Sequence, residues 1–172
     1  IAAISLDSPG RMIATNDRHG ATEAANYLES LGHRTIGLVT GPMRYLSARE
    51  RSAGFIDALA RRGIKVPPSR IVEGGYTFES GVACGDELLS RSPRPTAIFC
   101  GNDEMALQAY LAALSLGLRV PEDVTIVGFD DFRTVSLGLK PELTTAALPY
   151  YDLGWQGAEM LDAVVQGKGN HS

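Results

Sequence analysis

An α/β fold built on a parallel sheet is predicted by three features of this sequence. Four short apolar runs, at 35–40, 70–73, 96–100 and 124–127, alternate with stretches whose apolar positions recur at helical spacing. Turn clusters rich in Gly, Pro and Asn separate them, so each strand reaches the next through a helical crossover. Each run is also followed by polar or aromatic side chains, and in open α/β sheets ligands bind beyond the strand ends. The organising stretch is V-P-E-D-V-T-I-V-G-F-D-D (120–131): a Pro-Glu-Asp turn, an apolar strand, then Asp130 and Asp131 just past its end.

In chain order, Ile1–Leu6 reads as a strand closed by D-S-P-G (7–10), and Met12–Thr15 as a second, shorter one. Asn16-Asp17 caps a helix over 19–31, where Ala21, Ala24, Ala25, Leu28 and Leu31 share a face and Gly32 ends it. Thr35–Thr40 is a buried strand. Ser47, with Glu50 three residues on, has the form of a capping box opening a helix to Arg62 and Gly63. Arg70–Glu73 is a strand before Gly74-Gly75-Tyr76, and 78–90 a helix broken by S-P-R-P. Thr96–Cys100 is a strand, and Gly101-Asn102-Asp103 opens a long helix to Leu116 and Gly117. Leu143–Leu148 is extended in character, and Tyr150–Val165 is an amphipathic helix. Residues 1–16 and 148–172 do not complete the sheet in sequence order and are assigned to a second lobe, partly present. The opening at Ile1, without Met and inside an apolar run, reads as a chain entered partway through a larger protein.

The 172 residues suffice for one good core or a core plus part of another. At 44% hydrophobic and 21% charged the composition is that of a soluble globular protein. A net charge of −4 argues against nucleic-acid binding by this segment, and Arg61-Arg62 at a helix end complements the helix dipole. Cys84 and Cys100 lie far apart without C-x-x-C spacing, so two buried thiols in a reducing cytosol are expected, not a disulfide framework or zinc. No apolar run approaches the ~20 residues of a membrane helix, and no signal peptide is present, though a missing N-terminus would hide one; the expected location is the cytoplasm. No G-x-G-x-x-G, Walker A, G-x-S-x-G or H-E-x-x-H occurs. Asp130-Asp131 suits Mg²⁺ or acid–base work in principle, but no nucleophile, base and orienter can be named with it. No enzyme, cofactor or metal is therefore expected.

The strand-end side chains are Asp7, Ser47, Arg51, Tyr76, Asn102, Asp103, Asp130 and Asp131. Together they offer a guanidinium fork, carboxylate acceptors, an amide and an aromatic face, a set suited to a polyhydroxylated or heteroaromatic small molecule. Each also has a local reading. Asn102, Asp103 and Ser47 serve as helix caps, Arg51 pairs with Glu50 or Asp57 on a solvated face, and Asp130 serves the turn. Tyr76 is expected to be exposed on its loop, and His33 to be a helix-end residue.

Five segments carry a resemblance to a known family: L-G-H-R-T-I-G-L-V-T-G-P (31–42), S-A-R-E-R-S-A-G-F (47–55), P-T-A-I-F-C-G-N-D-E-M-A (95–106), G-L-R-V-P-E-D-V-T-I-V-G-F-D-D (117–131) and K-P-E-L-T-T (140–145). In them the chain resembles the effector-binding domain of LacI/GalR-type transcriptional repressors. The resemblance implies a periplasmic-binding-protein-like, doubly wound fold of two hinged lobes with an effector in the cleft. Residues 17–147 would be the nearly complete C-terminal lobe, 1–16 a remnant of the N-terminal lobe, and 148–172 its crossover and helix. It places effector contacts on Asp7, Ser47, Arg51, Tyr76, Asn102 and Asp130, with Tyr150 near the hinge, and leaves Asp131 a structural or hinge-side partner. Thr15-Asn16 departs from the Asp-Asn pair of many relatives. The expected function is reversible sensing of a small effector, a sugar before a purine, by a repressor that dimerises. That repressor meets DNA through a helix-turn-helix domain absent from this sequence. The alternative is a transport-type sugar-binding protein serving a membrane permease.

Overall fold

The parallel sheet has five strands, one more than the apolar runs announce. The computed structural model describes residues 3–4 and 12–166. Two short parallel strands, β1 (Ala3–Ile4) and β2 (Met12–Ile13), stand apart from the main sheet. After α1 (Asp17–Ser30) come β3 (Ile36–Thr40), α2 (Leu46–Arg61), β4 (Ile71–Glu73) and α3 (Phe78–Leu89). Then follow β5 (Ala97–Cys100), α4 (Asp103–Ser115), β6 (Thr125–Asp130), the short α5 (Arg133–Ser136), β7 (Thr144–Ala147) and α6 (Tyr150–Val165). The spatial order is β4-β3-β5-β6-β7, with every neighbouring pair parallel. β7 escapes an apolar-run search because it is an edge strand of Thr and Ala, half-buried at most.

Strand alternation divides the core in two. Val39, Ile98, Cys100 and Ile126 point to the α3/α4 face, while Ile36, Leu38, Ala97, Phe99, Val127 and Phe129 point to the α1/α2 face. Helices cover both faces, so the fold is α/β and doubly wound. On the second face Phe55 stacks on Phe99 at 4.5 Å and Phe99 meets Phe129 edge-on at 6.3 Å. Fully burying a side chain of this size contributes roughly 1.5–3 kcal/mol. Cys84 and Cys100 are both buried and free, and burial raises both thiol pKa values.

Helix starts and stops follow local chemistry in most places. The Asn16, Thr77 and Asn102 side chains accept from backbone N–H groups one turn into α1, α3 and α4. Gly32, Gly63 and Gly117 supply the positive φ beyond α1, α2 and α4. The capping box expected at Ser47 does not form. Extended Tyr45 occupies the N-cap with no side-chain bond, and Ser47 lies one residue inside the helix.

β3 and β5 are neighbours, yet the strand that follows each lies on opposite sides of the pair. This is a topological switch point, and a crevice opens there outside the strands' carboxyl ends, at Thr40 and Cys100.

Candidate functional site

Arg51 is the centre of that crevice. It sits on the second turn of α2 and is 7% exposed, not on a solvated face. Its Nε donates to Asp17 Oδ1 at 2.8 Å; its Nη1 donates to Asp130 Oδ1 at 2.9 Å and to the Gly101 carbonyl at 2.6 Å. The guanidinium lies 3.9 Å from the Phe129 ring centroid, a desolvated cation–π contact. Glu50 and Asp57, the surface partners considered for Arg51, are taken by Arg18. Burial opposes the Arg51 charge, but Asp130 and Asp17 outweigh it and hold its pKa above the ordinary value. Nη2 makes no hydrogen bond among the described residues and remains available to a ligand.

Asp130 is the last residue of β6, not the first beyond it, and has φ +118°. Such a backbone costs a non-glycine residue on the order of 1–3 kcal/mol and persists only where the surroundings enforce it. Burial pushes the Asp130 carboxyl up to about 6, with Arg51 pulling the other way and Asp103 adding to the rise. Asp131, at φ +53°, turns elsewhere: its Oδ1 accepts from Ser136 Oγ and its backbone N donates to Thr145 Oγ1. The two carboxylates therefore serve different partners, and Asp131 is structural.

Asn102 caps α4, its Oδ1 accepting from Met105 N, and also faces the cavity. Its cap role and a ligand role are thus compatible. Asp103 is fully engaged, accepting from Phe132 N at 2.7 Å and Thr145 Oγ1 at 2.6 Å. It ties the exit of β6 to β7. Burial raises its pKa, tempered by those two bonds.

Tyr76 is not the exposed loop residue expected. It is half-buried with φ +61°, its ring packs directly on Gly41, and Tyr45 stacks on it at 6.1 Å. Only a glycine at 41 leaves room for that ring. Burial raises the Tyr76 phenol pKa, offset partly by the Ser47 hydroxyl and the Arg51 charge, and its Oη makes no well-formed hydrogen bond.

One cavity of about 410 Å³ is lined by Thr15, Ser47, Arg51, Tyr76, Asn102, Asp130, Leu148, Tyr150, Leu153 and Gly154. Six of the seven residues that the resemblance marks as effector contacts are there, Ser47, Arg51, Tyr76, Asn102, Asp130 and Tyr150, while Asp103 and Asp131 are not. The seventh, Asp7, lies outside the described residues. Burial raises the Tyr150 pKa, and Asp130 adds to the effect.

Asp17 was not foreseen. It reads as a capping-region residue, yet it is buried, accepts from Arg51, and takes a 2.6 Å bond from Thr15 Oγ1. Nothing within α1 signals a partner 34 residues away. Chemically the site pairs one cation with two anions over an aromatic floor, with Leu148 and Leu153 forming an apolar wall.

Comparison with known proteins shows the family and the fold. A model of the periplasmic binding protein-like domain matches residues 25–172. The HTH-type transcriptional repressor PurR of Escherichia coli O1:K1 is 42% identical over 149 residues, covering 87% of this chain and 43% of PurR. The chain thus spans less than half the length of the curated relatives it matches. A transcriptional regulator CelR–cellobiose complex superposes over 97% of this chain and 52% of its own at 31% identity, TM-score 0.90. A regulatory protein of the LacI family from Chloroflexus aggregans gives 32% identity over 95% of this chain and 60% of its own, TM-score 0.86. A dimeric Lac repressor gives 33% over 96% and 61%, TM-score 0.87. These relatives are transcriptional regulators, which does not favour the transport alternative. Among the described residues no helix is long and apolar enough to cross a membrane.

Proposed function

Since the chain belongs to the periplasmic binding protein-like domain family, with LacI-type regulators as its homologues, we propose that it is the ligand-sensing part of a LacI/GalR-type transcriptional regulator. The observation that carries this reading is the Arg51 clamp at the switch point, held by Asp17 and Asp130 and facing a 410 Å³ cavity with an apolar wall. The effector binds reversibly and without chemistry. A sugar suits the set best: Asp130, Asn102 and the open edge of Arg51 take ring hydroxyls, Ser47 adds a hydroxyl, and Tyr76 offers its face to the ring. Tyr150 and Asp7 complete the contacts.

Residues 17–147 form the C-terminal lobe in this reading. Residues 1–16 and 148–172 belong to the N-terminal lobe, whose remaining part lies outside this sequence. The intact protein is a cytoplasmic homodimer that meets DNA through a helix-turn-helix domain. The effector acts by binding two lobe arrangements with different affinities, because a ligand of equal affinity shifts nothing.

Isothermal calorimetry on the full-length protein with a panel of sugars and nucleobases tests the site, using Arg51→Lys and Asp130→Asn as controls. One sugar should bind, and both variants, shown folded by thermal unfolding, should bind it at least about tenfold more weakly, consistent with loss of a charge-assisted hydrogen bond. If both folded variants bind as tightly as the parent, the proposed site is wrong. Preference for a nucleobase would overturn the sugar reading alone.

A further inference from the structure

A second cavity of about 410 Å³ opens between α2 and the sheet edge at β4, and it shares no lining residue with the first. Met43, Ile56, Pro68 and Ile71 give it apolar walls. The buried hydroxyls of Thr40 and Ser52 and the exposed carboxylate of Glu73 complete its lining.

Those polar groups are poorly served by the protein itself. Thr40 Oγ1 is buried without a hydrogen-bond partner. The Ser52 hydroxyl faces only the Met43 sulfur, at 4.0 Å, a weak acceptor. Glu73 accepts one long bond, 3.4 Å, from Met43 N through Oε1, and its Oε2 has no bond among the described residues. Buried hydroxyls are nearly always satisfied, so an orphan beside a cavity marks a place where something else supplies the bond.

We propose that this cavity is a second small-molecule site, taking a compact apolar body headed by an amine. Two hydroxyls and a carboxylate can all accept from an ammonium, and the Glu73 charge disfavours anions. The volume lies within the range of small-molecule pockets, about 300–1,000 Å³. The site is built into the same loop as the first cavity: Met43 lines one, while Tyr45, two residues on, stacks on Tyr76 of the other.

Full-length protein with labelled Ile and Met methyl groups can be titrated with benzylamine, benzyl alcohol and benzoate by NMR. Benzylamine should shift the Met43, Ile56 and Ile71 methyls, benzyl alcohol should do so more weakly, and benzoate should not. Thr40→Val should weaken benzylamine binding by about three- to tenfold, the worth of one hydrogen bond. Glu73→Gln, at an exposed position, should erase the preference for amine over alcohol even if Thr40→Val fails to fold. The proposal is overturned if none of the three probes shifts these methyls or if benzoate shifts them equally. It is equally overturned if folded Thr40→Val binds benzylamine unchanged, or if Glu73→Gln keeps the amine preference. Neither substitution touches the proposed effector cavity, so the outcome is independent of that reading.

Discussion

Helices α2 and α6 are both 16 residues long and both amphipathic, but they meet the rest of the chain very differently. α2 buries seven residues, among them Phe55, Leu59 and the charged Arg51; α6 buries Leu153 alone. Tyr151 and Trp155 stack on each other on α6 while remaining 79% and 58% exposed. An amphipathic pattern states that a helix has a face to cover, not that the cover lies in the same chain. For α2 the cover is the sheet and α1; for α6 it is mostly absent among the described residues, which supports its assignment to a second lobe.

The largest effect that could break this contrast is at Arg51. Arg51→Met leaves Asp17 and Asp130 in a buried site without their cation, and a broken buried pair costs about 3–5 kcal/mol. Thermal unfolding should show a fall on the order of 10 °C. A loss under about 1 kcal/mol would mean the cluster is hydrated and not the buried clamp described.

Next in size is a pH effect. Asp130 titrates near 6 in the folded protein against an ordinary 3.8, chiefly because it is buried. The fold therefore prefers its protonated form. That contribution is full below about pH 4, where both states hold the proton, and is lost as pH rises through about 6, by roughly 2–3 kcal/mol. Stability measured from pH 4 to 7 should fall with this group in the parent and lose that component in Asp130→Asn. Parallel curves for the two would contradict it.

Gly41→Ala comes third. A methyl there would sit 1.9 Å from the Tyr76 ring, so the ring must move. Overpacking of this kind costs about 1–3 kcal/mol, and near-ultraviolet circular dichroism should report loss of the Tyr45–Tyr76 stack.

The smallest effect tests the other helix. Trp155→Ser should change the stability of the 172-residue chain by less than about 0.5 kcal/mol, as exposed substitutions do. In the full-length protein the same substitution should cost more. Equal costs would remove the case that α6 packs into a second lobe.

The sequence makes the site legible where function and local structure use the same signal. Asn102 follows β5, Asp130 ends β6 and Arg51 stands on the helix after β3, all near the strands' carboxyl ends, where such a crevice opens. It is illegible where the partner is remote. Asp17 looks like a residue of a helix start, and only the packing of α1 against α2 brings it to Arg51. The helix starting at Leu46 turned Ser47 from a cap into a cavity residue, because extended Tyr45 took the terminal position. Tyr76 reads as exposed because its two preceding glycines look like a flexible loop, whereas the glycine that matters is Gly41, just past a neighbouring strand. β7 reads only as extended in the sequence because an edge strand of small residues lacks the apolar density of an interior one.

The chain's exit from the sheet is tied back to Asp130. Leu148 N donates to the Asp130 carbonyl at 3.2 Å, Tyr150 N to the Leu148 carbonyl, and α6 begins at once. Its first turn, with Tyr150, Leu153 and Gly154, is part of the cavity wall, while its other end lies about 24 Å away at 1.5 Å per residue. A ligand that tilted the first turn by about 10° would carry that end through about 4 Å, roughly three-quarters of the rise of one helical turn. Asp130 thus serves two neighbours at once: its side chain lines the cavity, and its carbonyl accepts from Leu148 N, two residues before α6 begins.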